Sequence, residues 1–171
     1  VLTQLLNHIA GLVSLEAMEA GRQWFLVVWR NAAGTVALYG ALLFHFALAI
    51  WALYARRRLR MSVGEVIQYG LGLAIPLLLL GHFVGTRGAH ELYGTNDTYT
   101  YVLLAQWKFD PSYLFDQTAG LLAAWVHGCI GIHYWLRLKH GYPRLVPVLY
   151  GAALIVPLLS LLGYAQAGRA V

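Results

Sequence analysis

Four runs of this sequence contain no aspartate, glutamate, lysine or arginine for twenty residues or more: Asn31–Ala55, Val66–Thr86, Gln117–Leu136 and Leu145–Gly168. Each is long enough to cross a hydrocarbon layer of roughly 30 Å as a helix. The composition agrees, with 60% hydrophobic and only 11% charged residues and a mean hydropathy of +0.61. A soluble domain carries about twice that share of charge. The expected fold class is therefore all-α, a polytopic membrane helical bundle. A fifth apolar stretch, Val1–Ser14, is too short to span. It reads as the back end of a helix that starts before Val1. It has no basic leading region and no small-x-small site before Glu16, which argues against a signal peptide.

Charge placement sets the topology. Arg56, Arg57, Arg58 and Arg60 follow one span, and Arg137, Lys139 and Arg144 follow another. The segment between carries Glu91, Asp97, Asp110 and Asp116 against Arg87 and Lys108. Lysine and arginine thus gather on one side, which should be cytoplasmic. The net charge of +5 is explained by that bias and gives no reason to expect nucleic acid. The expected order is a partial helix I (1–14), then II (34–55), III (63–86), an outer loop (87–116), IV (117–136) and V (145–167), one transmembrane domain over 1–171. Within the loop, the apolar piece Tyr99–Trp107 is expected as an interfacial helix or re-entrant turn. The single Cys129 excludes a disulfide framework or a thiolate cluster within the chain.

Four histidines, His8, His45, His82 and His127, fall one on each of helices I to IV. An ionisable residue inside a span is costly, and its default reading is functional, with a partner. At 1.5 Å per residue, His45 and His127 both lie about 15 Å from the cytoplasmic edge. His82 lies about 28 Å from it, and His8 also falls in the outer third. In an up-down bundle I and III are diagonal, as are II and IV. Two bis-histidine haems, His8 with His82 outside and His45 with His127 inside, are the economical explanation. Small neighbours on the ligand faces suit a macrocycle: Gly11 beside His8, Gly85 beside His82, Gly131 beside His127, Ala41 and Ala49 beside His45. The plainer reading is that these glycines serve close helix packing and that each histidine bonds a backbone carbonyl.

His133 lies six residues past His127, on another face of the helix. A contact with a haem propionate, a neighbouring protein or lipid headgroups stays open, as does a role as an alternative ligand. Beyond the outer pair, Arg87, His90, Glu91, Asn96, Asp97, Tyr99 and Tyr101 cluster in sequence. They offer hydrogen-bond donors and a proton route suited to a quinone or quinol. The alternative is an ordinary solvated loop.

The segments QLLNHIAGLVSLEAMEAGRQWF, WRNAAGTVALYGALLFHFALAIWALYARRRLRM, GHFVGTRGAHELYGTNDTYTYVLL and AWVHGCIGIHYWLRLKHGYPR resemble the membrane anchor of a group of bacterial class III adenylate cyclases. That anchor is similar to the cytochrome b subunit of succinate dehydrogenase and fumarate reductase. The resemblance implies six helices in the intact protein, two haem b groups and reaction with the quinone pool. It also implies a multi-pass location in the bacterial inner membrane and redox control of a C-terminal cytoplasmic cyclase, often through a 2Fe-2S ferredoxin-like segment. The cyclase domain is expected to act as a homodimer. The family's first helix carries a histidine where this chain has Gln4. No cyclase catalytic residues lie in these 171 residues. An alternative function is an electron-transfer cytochrome b subunit of a quinone-linked dehydrogenase.

Overall fold

The computed structural model describes residues 1–58 and 60–171. Over these the chain is 84% helical with no strand. Four helices are long and apolar enough to cross a membrane, so the chain is a multi-pass helical membrane protein by length and hydropathy. The helices are α1 (Leu2–Ile9), α2 (Leu15–Trp29), α3 (Ala32–Tyr54), α4 (Val63–Tyr93), α5 (Tyr99–Leu104), α6 (Ser112–Leu136) and α7 (Tyr142–Arg169).

Local chemistry sets most of the ends. Ser14 and Asn31 accept the first free N–H groups of α2 and α3, from Ala17 at 3.1 Å and Gly34 at 2.8 Å. Ser62 and Glu65 form a capping box at the start of α4. Gly94, with φ of +66°, ends α4 in the left-handed region that suits glycine.

Three of the spans, α4, α6 and α7, reach further than their charge-free runs. α4 continues to Tyr93, so Arg87, His90 and Glu91 sit on its last turns instead of in a loop. It is not regular throughout. Pro76 cannot donate to the Gly72 carbonyl one turn back. The helix breaks at Leu79, resumes, and passes through a π-helical stretch at Val84–Gly88. α6 starts at Ser112, where the Asp110 carboxylate accepts the Ser112 N–H at 3.0 Å. The expected outer loop is therefore mostly helical, and α5 runs into a second π-helical stretch at Ala105–Phe109.

Packing is uneven. α4 lies along α6, α1 and its following 3-10 turn lie along α7, and α6 touches α7. α2 and α5 close over the end of the bundle where α7 finishes. There Met18, Tyr99, Leu103, Tyr164 and Ala167 form the core. α1 and α7 cross in backbone contact: a Cβ on Gly11 would meet the Gly163 carbonyl, and one on Gly163 would meet that of His8. α3 is different. It has no buried residue, and its one extended packing partner is α2, which leads into it. It reaches the other helices through a few side chains. Tyr39 meets Phe83 edge-on at 5.8 Å, and Arg87 donates to the Thr35 hydroxyl at 3.4 Å.

Candidate functional site

Facing pairs of histidines are the place to begin, because a span rarely carries one without use. His45 on α3 and His127 on α6 are brought together: their ring centres lie 6.0 Å apart with the planes at 85°. His127 is held from the far side. Its Nδ1–H donates to the backbone carbonyl of Gln68 on α4 at 3.1 Å, which leaves Nε2 as a lone pair. Gly72, one turn further along α4, gives the ring its space. Around this pair Ala41 is exposed and Ala49 half-buried on α3. Gly131 lies against the Gln68 amide, where a Cβ would sit 3.5 Å from Nε2.

The outer histidines, His8 and His82, each have polar partners of their own. His8 is 1% exposed. Its Nε2 accepts from the Gln4 amide at 2.9 Å, and its ring stacks on Tyr164 at 4.4 Å and meets Tyr99 edge-on. Tyr99 also accepts from Asn7 at 2.8 Å and Gln4 at 3.3 Å. Gln4 thus occupies one ring nitrogen of His8, and the other, Nδ1, is buried with no hydrogen-bond partner among the described residues. Gly11, expected beside a macrocycle, instead admits the backbone of α7.

His82 belongs to a second polar chain. Its Nδ1–H donates to the Gln117 amide oxygen at 3.3 Å. That oxygen also accepts from Gln106, and Gln106 accepts from the Tyr164 hydroxyl at 2.8 Å. Imidazole and amides form the inner wall of a cavity of about 260 Å³. Leu78, Val102 and Ala105 supply its apolar walls, and Gly85, Tyr101 and Tyr113 border it. Both π-helical stretches contribute to it, through Val84, Gly85 and Thr86 and through Ala105 and Gln106. Such stretches recur at functional sites, where they re-aim side chains.

The polar residues read as a quinone site have mostly other partners. Asp97, 6% exposed, is bound by Arg30 and by Arg22 at 3.4 Å. Arg87 pairs with Glu91 at 3.0 Å. His90 Nδ1–H donates to the Thr95 carbonyl at 3.0 Å. The Tyr99 N–H donates to Glu19 at 3.0 Å. Burial alone would raise the Glu19 carboxyl, but Arg22 and that N–H hold it below the usual carboxylate range. Burial pushes the Tyr99 phenol up to about 12. Asn96 is exposed, and only Tyr101 reaches the cavity. At the opposite end His133 shares a hydrogen bond with the Tyr142 hydroxyl at 2.7 Å, tying α6 to α7.

Sequence reasoning did not single out Gln68, Gly72, Gln106, Gln117 or Tyr164. Glutamines inside charge-free runs were the available signal for Gln68 and Gln117, since an amide in a span needs partners as an imidazole does. Among the described residues no group of three or more His, Cys, Asp or Glu side chains converges to cage a bare metal ion. A haem iron asks the protein for only two imidazoles.

Comparison with known protein families, curated proteins and solved structures finds no match for this chain.

Proposed function

We propose that the chain is the membrane anchor of a redox-responsive signalling protein, holding haem b between His45 and His127. One observation carries this, the 6.0 Å between the two ring centres. Two metal–imidazole bonds of about 2 Å, each extended by roughly 1 Å from nitrogen to ring centre, span about 6 Å. Three features support it. His127 has its tautomer fixed by the Gln68 carbonyl, as second-shell partners fix ligating histidines. α3 keeps its distance from α4 and α6 except through side chains. The expected depth of the pair, near mid-membrane, would keep bulk water from it.

Haem b, when bound, supplies a one-electron couple within the low-dielectric bundle. The chain's residues would hold it: the two imidazoles as ligands to its iron, Gln68 as the partner that keeps Nε2 of His127 unprotonated. His8 supports an outer haem less directly, because Gln4 holds its Nε2 while its buried Nδ1 has no hydrogen-bond partner among the described residues. One haem per chain is proposed, at the His45–His127 pair.

In the same reading a quinone or quinol meets the chain at the His82 cavity and not at the Arg87–Tyr101 cluster. His82 donates from Nδ1 to Gln117, so its Nε2 can accept a proton from a hydroxyl. The apolar walls suit a ring dissolved in the membrane. The attached cytoplasmic adenylate cyclase, its ferredoxin-like link and its dimer remain part of the proposal through the resemblance.

The test is a reduced-minus-oxidised optical spectrum with haem quantification on the purified chain. One b haem per chain is expected, lost in His45→Ala and in His127→Ala and kept in His8→Ala. Retention of haem in both inner variants, or none in the unaltered chain, overturns the proposal.

A further inference from the structure

His127 would make a poor ligand if its ring were free to turn, so what holds it matters as much as the ring itself. A Cβ built on Gly72 would lie 3.0 Å from His127 Cε1 and 3.4 Å from Nδ1. That is closer than side chains ordinarily approach, so the ring would have to give way. Gln68 stands one turn before Gly72 on the same face of α4, and its carbonyl accepts the Nδ1–H of the same ring at 3.1 Å. Pro76 stands one turn after Gly72 and cannot donate to the Gly72 carbonyl. Two successive turns of one helix face thus meet a single imidazole. Gly70, two residues from Gly72 and on another face, has open space where its Cβ would be. The requirement is therefore local to position 72 and is not a general need of α4 for glycine.

We infer that Gly72 and the Gln68 carbonyl form a seat that aims His127 Nε2 at His45, with Gly72 a positioning residue for the metal ligand. A methyl group at 72 would move the ring by a few tenths of an ångström and lengthen its bond to Gln68. Both the tautomer and the aim of Nε2 depend on that bond. The inference rests on the haem reading for its consequence, and on packing alone for its geometry.

The experiment uses the full chain in lipid nanodiscs with four variants: Gly72→Ala, Gly70→Ala, His127→Gly and the double variant Gly72→Ala/His127→Gly. Haem affinity is titrated, the low-spin ferric signal is recorded by electron paramagnetic resonance, and thermal unfolding of the haem-free chain is measured. Gly72→Ala should weaken haem binding by about 10–100-fold, the usual loss when a ligand's outer partner is disturbed. It should also alter the ferric signal, which responds to the angle between axial imidazole planes. Gly70→Ala should do neither. Without haem, Gly72→Ala should lower the unfolding temperature when His127 is present and not in the His127→Gly background, where the methyl has room. Equal effects of Gly72→Ala in both backgrounds overturn the seat. An unaltered chain that binds no haem overturns the haem reading, and the unfolding cycle still decides the seat.

Discussion

Asp97 receives two arginines from α2: Arg22 in its body and Arg30 at its C-terminal cap. With Glu19 binding Arg22 and the Tyr99 N–H, this cluster fixes α5 against α2. Removing the carboxylate charge would leave two half-buried guanidinium groups facing a neutral amide. Asp97→Asn should therefore lower stability by about 3 kcal/mol, read as an earlier thermal transition in nanodiscs. Sequence alone gave Asp97 a place in a quinone site, because charge and aromatic content in a loop look alike whether they bind a ligand or one another. The residues that separate the two cases, Arg22 and Arg30, lie more than sixty positions away along the chain. His45 and His127 were legible, because the cost of an imidazole in a span and the equal rise along two helices constrain depth. His8 was not. Depth says nothing about which neighbour takes a nitrogen, and Gln4 one turn away takes it.

At the level of the helix, the charge-free criterion finds α3, α4, α6 and α7 and stops short of at least one end of the last three. It halts at Asp116, although α6 begins at Ser112 with Asp116 exposed on its surface. It is blind to α2, whose Glu16, Glu19 and Arg22 serve the surface and the Asp97 cluster. The readable signal there was Ser14, which caps it. Crossings between helices were only half legible. Gly11 was noticed as a small residue, but its partner Gly163 is visible only in the fold. Their backbones touch, so Gly163→Ala should cost roughly 1–3 kcal/mol by forcing α1 and α7 apart. Gly151→Ala, on the same helix with open space, should be neutral or slightly stabilising. Comparing the two unfolding temperatures separates a crossing from mere helix propensity.

Over the whole molecule, both basic clusters gather at one end. Arg56 reaches Glu65 there at 3.0 Å, and Ser62 and Glu65 share a cleft with Tyr134 and Arg137. Lys108 belongs to the opposite end, beside the core of α2, α5 and α7. In a Cys129→Ser background, Lys139→Cys should react with a membrane-impermeant maleimide only from the cytoplasmic side. Lys108→Cys should react only from the other side, and the reverse pattern would invert the topology. The two ends also differ mechanically. α3 is anchored at its start by α2 and is 23 residues long, a rod of about 34 Å. A beam clamped at one end amplifies rotation with length, so a tilt of about 5° at the clamp carries the far tip, at Arg56, through about 3 Å. His45 sits a little past halfway along that beam and would travel roughly half as far. A displacement at the imidazole is therefore nearly doubled by the time it reaches the far tip of the helix.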